Sequence, residues 1–405
     1  MGPEAKKEYV EAIRERYGRM NRKGKGMILE EFCAVTGDHR KHAIRVLNGL
    51  RRQKGKRPGP ASRYGEAEVE ALKAIWLAAE QPCGKRLVAA LPIWVPAYGR
   101  REKLTSAVKA NLLRMSAATA DRLLQPGRAR LKVRGRGGTR PGSLLKTQIP
   151  IRGESWDESR PGYLEADTVA HCGTNLTGDF VWSLTFTDIA TGWTANRAVW
   201  NRGATGVMER LQEIEGELPF KLLGFDCDNG GEFLNHHLWR YLRQRKEPVD
   251  FTRSRPYRKN DQAHVEQKNW THVRQLLGYE RMGRMELVEP INDLYRLWGR
   301  LHNFFCPTLK LKEKRREGAK IHKRYEKPKT PCQRLLECPE VQEKTKTLLR
   351  REMKGLDPFE LKGEIETRLR GVFALRRRLE GGTESTLSVS SPPQPAQVPF
   401  GNIFP

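Results

Sequence analysis

Apolar positions change their period along this chain, and each change predicts a different kind of structure. From Glu8 to Met20 they recur every three to four residues, the spacing of one helix face. Gly24-Lys25-Gly26 interrupts that pattern, which resumes in "MILEEFCAVTGDHRKHAIRVLNGL". There Ile28, Leu29, Phe32 and Val35 line one predicted helix and Ala43, Ile44, Val46 and Leu47 the next. Thr36-Gly37-Asp38 forms the turn between them, with Asp38 as the expected N-cap. This is a helix-turn-helix pattern, and its second helix offers His39, Arg40, Lys41 and Arg45 to a major groove. A second helical unit follows. Glu66 to Ala79 predicts an amphipathic helix, and "GKRLVAALPIWVPAYG" predicts another that Pro92 and Pro96 break. "LTSAVKANLLRMSAATADRLL" then ends in a second helix-turn-helix-like unit, with Ser116 as N-cap.

From Tyr163 onward the period drops to two. In Phe180 to Thr187, Trp182, Leu184 and Phe186 fall on one side and Ser183, Thr185 and Thr187 on the other. Strands are predicted at Tyr163–Val169, Phe180–Thr187, Trp193–Trp200, Lys221–Phe225 and Val249–Thr252. Helices are predicted at Gly203–Glu215, Glu232–Arg245 and Asp261–Leu277. Beyond them, Ile291, Leu294, Trp298, Leu301 and Phe305 mark an amphipathic helix over Pro290–Phe305. "KLKEKRREGAKIHKRYEKPKTP" is basic and suits short strands, and Val341–Leu379 reads as helical with a break at Gly355–Pro358. After Gly381, Ser, Pro and Gln dominate, the composition of a disordered tail. The expected organisation is therefore a helix-turn-helix region (1–60), a second helical DNA-binding unit (61–126) and a basic linker (127–155). A mixed α/β core (156–283), a basic C-terminal module (284–380) and the tail (381–405) complete it.

Charge narrows the function classes. Among 405 residues, Lys and Arg outnumber Asp and Glu by 75 to 48, a formal charge of +27, which implies a polyanionic partner. No apolar run reaches the length of a membrane span, and the N-terminus lacks a signal-peptide core, so nucleic acid is expected rather than a membrane. The seven cysteines form no CxxC pair, which suggests a reduced, intracellular protein. From Arg128 to Arg152 there is no acidic residue, and Arg128, Arg130, Arg134 and Arg136 lie in a Gly-rich run suited to a phosphate backbone.

Three carboxylates carry the candidate chemistry: Asp167 in "GYLEADTVAH", Asp228 in "LLGFDCDNGGEF" and Glu266 in "RPYRKNDQAHVEQKNW". Asp167 falls near a strand end, and Asp228 falls at the Asp228-Asn229-Gly230 turn just past another. Glu266 lies in the predicted inward stripe Ala263, Glu266, Trp270, Val273 and Leu277. A carboxylate facing a core is costly unless paired or bound to a metal, and three converging acids make the hard-oxygen set that Mg²⁺ prefers. Glu165 and Asp226 are the nearest rivals. Arg253, Arg255, Arg258 and Lys259 ahead of the Glu266 helix, and Lys268 on it, are candidates for holding DNA phosphates.

These motifs resemble the catalytic core of DDE transposases and retroviral-type integrases, and more widely bacterial insertion-sequence transposases. The intervals, 228 − 167 = 61 and 266 − 228 = 38, fit that family, and the likeness extends from about Ile28 to Leu336. Cys227 stands where a Ser is common, and "NDQAHVEQ" replaces a Gly-rich lead-in. The resemblance implies a ribonuclease H-like core in which the first and fourth strands lie side by side. It implies two Mg²⁺ ions, replaceable by Mn²⁺, with Asp167 bridging both and Asp228 and Glu266 each holding one. It also implies element ends and target as DNA partners, at least a homodimer on DNA, and a bacterial cytoplasmic, nucleoid-associated protein. A DNA-binding regulator without activity and a nuclease that cuts without joining are the alternatives.

Overall fold

The computed structural model describes residues 2–49, 63–129, 160–228, 230–254, 263–317 and 320–381. The chain divides into two compact units, Met1–Arg63 and Tyr64–Pro405.

In the first unit, α1 (Pro3–Arg19), α2 (Arg22–Thr36) and α3 (Arg40–Leu47) close over Ile13, Tyr17, Ile28, Leu29, Phe32, Ala43 and Leu47. Gly24-Lys25-Gly26 does not interrupt a helix. The break comes at Met20–Asn21, where the Asn21 side chain accepts from the Gly24 amide at 2.9 Å. The glycines fall in the first turns of α2, which have few intrahelical bonds to weaken. The cap of α3 is also not Asp38. His39 takes that place, its ring accepting from the Lys41 amide at 3.3 Å, while Asp38 pairs with Lys6 of α1 at 2.9 Å. Gly37 ends α2 with φ at 71°, a left-handed conformation that favours glycine. Val35 and Ile44, expected on the apolar faces, are 48% and 36% exposed.

The second unit opens with α4 (Glu66–Ala78), α5 (Gly84–Arg101), α6 (Ser106–Leu113) and α7 (Ala117–Ala129). Pro92 and Pro96 do not break α5, which runs through both. Burial of Leu87, Ala90, Leu91, Trp94, Val95 and Ala97 along it offsets the lost backbone bonds. Ser116 does cap α7, accepting from the Thr119 amide at 3.1 Å.

Next come β1 (Tyr163–Ala170), β2 (Val181–Asp188), β3 (Thr194–Trp200), α8 (Ala204–Glu217), β4 (Gly224–Cys227), α9 (His236–Arg243) and β5 (Asp250–Arg253). The strands form one mixed sheet in the order β3-β2-β1-β4-β5, antiparallel across β1, β2 and β3 and parallel across β1, β4 and β5. The first and fourth strands are neighbours, as expected. One sheet face, with Leu164, Ala166, Leu184, Phe186, Phe225 and Phe251, shares a core with Val207 and Leu211 of α8 and Leu238 and Leu242 of α9.

The other face carries the polar half of the β2 alternation, and it too is buried. It lies beneath the helices that follow. The chain resumes as α10 (Ala263–Lys268), continues as a π-helix (Asn269–Arg274), and ends in one α-turn, α11 (Gln275–Leu277). A 3₁₀ turn leads into α12 (Val288–Phe305). Ser183 meets the Tyr295 hydroxyl at 2.6 Å, Asn196 donates to Thr185 at 2.9 Å, and the Asn292 side chain accepts from the Ala198 amide at 2.7 Å. Hydrogen-bonded partners thus make burial of polar strand positions tolerable.

The expected short strands are present as a hairpin, β6 (Leu311–Glu317) and β7 (Lys320–Tyr325). Three helices close the described chain: α13 (Pro331–Glu337), α14 (Glu343–Gly355) and α15 (Pro358–Glu380). α4, α5 and α7 share one apolar core with α12, α13 and α15. At its centre the Trp94 indole donates to the Phe305 carbonyl at 2.8 Å and meets the Phe359 ring edge-on at 5.1 Å. The tail from 382 lies outside the described residues. Among the described residues, no helix is long and apolar enough to cross a membrane.

Candidate active site

Parallel pairing of β1 and β4 runs from Tyr163↔Gly224 to Ala166↔Cys227. One step further along that register stand Asp167 and Asp228. Asp228 lies just past its strand, as expected, whereas Asp167 sits inside β1, which continues to Ala170. The Asp167 carboxylate accepts from the Thr168 amide at 2.8 Å and, through its other oxygen, from the Asn269 side chain at 2.5 Å. Asp228 accepts from the Gly230 amide at 2.9 Å. A Cβ at Gly230 would lie 2.8 Å from the Asp228 carboxylate and 2.6 Å from that of Glu232, so a larger residue here would push both carboxylates aside.

Both aspartates are held well above the ordinary value of 3.8. Burial raises Asp167 most, the Asp228 charge next and Glu266 less, together to about 7. Burial also raises Asp228, to about 6, with the Glu232 charge adding to it and Arg202 opposing. Glu232 is buried beside them, accepting from the Thr168 hydroxyl at 3.0 Å and pairing with Arg202 at 3.4 Å. Arg202 in turn lies over the Trp182 ring, 4.6 Å from its centroid.

The rival acids have other work. Glu165 and Asp226 face each other across the strands, two residues deeper, and both are buried. Asp226 accepts from the Thr252 hydroxyl at 2.6 Å, and Glu165 accepts from the Val265 amide at 3.1 Å, anchoring the start of α10. Glu165→Ala is expected to destabilise the protein by about 2 kcal/mol, because it strands a buried amide donor. An unchanged melting temperature would mean that the Val265 amide has found another acceptor.

Glu266 does not face the core. Val265, His272, Val273, Leu276 and Leu277 are buried, whereas Glu266 is exposed and Trp270 is 45% exposed. The π-helix explains the failed stripe: its wider turn shifts the phase between the first and second halves of the helix. Glu266 nevertheless lies close enough to Asp167 to raise its pKa. Among the described residues, no three or more His, Cys, Asp or Glu side chains are gathered closely enough to hold a metal ion.

Asn269 and Glu232 escaped the sequence reading. The sequence signals were Asn269 lying three residues after Glu266, and Glu232 standing inside "DNGGEF". His171, just past the end of β1, is buried, bonded to Ser183 at 2.7 Å, and burial lowers its pKa to about 3. Nothing is described of the His264 side chain.

Of the basic candidates, Arg40, Lys41 and Arg45 are exposed on α3 in the first unit. Lys268 is half-buried and near Arg86 of α5 and Arg334 of α13. Burial first, then those charges, lower its pKa to about 7. Arg253 ends β5 and is buried. The side chain of Arg128, and Arg130, Arg134, Arg136, Arg255, Arg258 and Lys259 altogether, lie outside the described residues.

No family model matches the chain. Among solved structures it is similar to the HTLV-2 integrase catalytic core domain in complex with magnesium, at 13% identity. That match covers 36% of this chain and 90% of that one, with a TM-score of 0.28. The catalytic core domain of BIV integrase matches at 17% identity over 44% of this chain and 94% of that one, TM-score 0.28. The simian T-cell lymphotropic virus intasome in complex with PP2A regulatory subunit B56 gamma matches at 14% over 51% and 68%, TM-score 0.28. At these TM-scores the likenesses are loose. The sequence relative is nearer: the uncharacterized protein y4rM of Sinorhizobium fredii (strain NBRC 101917 / NGR234) is 43% identical over 337 residues, 81% of this chain and 94% of that protein. The chain belongs to the family of that Sinorhizobium protein.

Proposed function

We propose that this protein is a DNA transposase of an insertion sequence, with a ribonuclease H-like core that nicks element ends and joins them to target DNA. The observation that carries it is the pairing of Asp167 and Asp228 at adjacent parallel strands, each carboxyl raised by its setting; Glu266, exposed on α10, adds its charge at Asp167. Carboxylates that resist ionisation together form a donor set suited to a hard divalent cation, which supplies the missing positive charge. Asp167, Asp228 and Glu266 would hold that cation. Two magnesium ions, replaceable by manganese, would supply Lewis-acid activation of a water or DNA 3′-hydroxyl and stabilise the leaving oxygen.

The chain's own residues prepare the site. Asn269 and the Thr168 amide fix the two oxygens of Asp167, and the Gly230 amide fixes Asp228. Glu165 anchors the helix that carries Glu266. The charge of +27 supports a nucleic-acid partner. Arg40, Lys41 and Arg45 are proposed as contacts to element ends, and the basic stretches around Arg128–Arg136 and Arg255–Lys259 as contacts to phosphates. Joining two ends requires at least a dimer on DNA, and the setting is the bacterial cytoplasm at the nucleoid.

The test is a Mg²⁺-dependent strand-transfer assay with labelled DNA ends taken from the gene's own flanks, comparing wild type with Glu266→Gln. Joined products from wild type alone are expected. Binding by both proteins with no cleavage, in Mg²⁺ or Mn²⁺, would favour a regulator; cleavage without joining would favour a nuclease.

A further inference from the structure

The first unit holds an open cleft of about 420 Å³ lined by Tyr17, Arg22, Lys25, Gly26, Leu29 and Arg40. Three of those six residues are cations and none is an acid. They come from the opening turn of α2 and the first residue of α3. Tyr17 and Leu29 belong to the buried core and form the apolar wall. Lys25 lies 5.4 Å from the centroid of the Tyr17 ring. Among the described residues no carboxylate pairs with Arg22 or Lys25, and Arg40 has only Glu30 at 3.8 Å, both side chains exposed. The positive end of α2, a helix of 15 residues, adds to the field there. The three side chains reach solvent, where their mutual repulsion is modest and screened, and an anion seated in the cleft would offset it.

We infer that this cleft binds a backbone phosphate of double-stranded DNA, with Arg22 and Lys25 as its cations and Arg40 closing it from α3. The inference rests on the DNA-binding part of the proposed function. It divides the work of the first unit: the cleft grips the backbone without regard to sequence, which leaves Lys41 and Arg45, further along α3, to face base edges. Arg40 accordingly acts on the phosphate side of that division.

The test measures binding of the full-length protein to a labelled duplex by fluorescence anisotropy over a range of salt concentrations. Arg22→Gln and Lys25→Gln are compared with Lys7→Gln, an equal loss of charge at an exposed site on α1. Each cleft variant is expected to flatten the slope of log K against log salt by about 0.9, one phosphate's share. Lys7→Gln should leave the slope unchanged, and the cleft variants should weaken binding equally on specific and random duplexes. Equal slopes for wild type and both cleft variants would overturn the inference, and so would an equal loss in Lys7→Gln. Inorganic pyrophosphate that displaces no DNA, but protects the cleft variants less than wild type from melting, would assign the cleft to a free phosphate and overturn it. A wild-type protein that binds no duplex at all would remove the DNA reading itself.

Discussion

If the proposed function holds, Asp228→Asn is expected to lower Mg²⁺-dependent cleavage of element ends by on the order of a thousandfold, roughly 4 kcal/mol of transition-state stabilisation. It should leave end binding within a few fold of wild type. Asn keeps an oxygen for the Gly230 amide, so the turn survives, and it removes only the charge. The same substitution should leave the metal-free protein no less stable near neutral pH, because burial disfavours the ionised Asp228 carboxyl. Lost activity together with retained stability distinguishes a ligand from a structural acid such as Glu165, whose removal is expected to lower the melting temperature. Full activity in Asp228→Asn would take this residue out of the mechanism; a collapsed melting temperature would make it a fold residue.

The second large effect lies in the pH dependence of the metal-free protein. Asp167 and Asp228 hold protons to about 7 and about 6 in the folded state, against 3.8 when unfolded. Over that interval the folded state binds more protons than the unfolded one. The stability these groups contribute is therefore fully present below about pH 4 and is lost as pH rises through 6 to 7. At about 1.4 kcal/mol per displaced pKa unit, the loss is on the order of 3–4 kcal/mol for each group taken alone, and the two are not additive because the Asp228 charge itself raises Asp167. In chelator-treated protein, the melting temperature of wild type relative to Asp167→Asn should fall between pH 5 and pH 8 by a few degrees. Mg²⁺ should restore it at pH 8 in wild type and not in the variant, since a ligand of the folded state stabilises by mass action. A difference between the two proteins that does not change with pH would show that the Asp167 carboxyl titrates normally.

Particular residues show how far the sequence could be read. All five strands of the sheet were legible, β2 from its period-two alternation and β4 as a short apolar run before a turn, and the family resemblance implied that β1 and β4 would be neighbours. Asp167 and Asp228 were singled out from motif and spacing, and the register sets them side by side. Glu266 was picked as the third acid from the inward stripe, but the side chain is exposed, and its charge reaches Asp167 only as the smallest of the effects there. A π-helix needs no special composition, so its phase shift is invisible to a count of threes and fours. α13 was missed although "TPCQ" carries its start: Thr330 and Gln333 form the capping box, with Pro331 at the first position. Its seven residues are too short for periodicity to register.

The sequence by itself determined the local choices: which segments form the sheet strands and most of the helices, where Gly37 and Ser116 end or begin a helix, and that Asp228 stands just past a strand end. These depend on contacts within a few residues. Only the tertiary structure decided that Pro92 and Pro96 sit inside an unbroken helix, that the polar face of β2 is buried, and that Glu165 anchors a helix 100 residues away. Each of these is fixed by partners distant in sequence, whose burial and hydrogen bonds outweigh the weak preferences a local window can read.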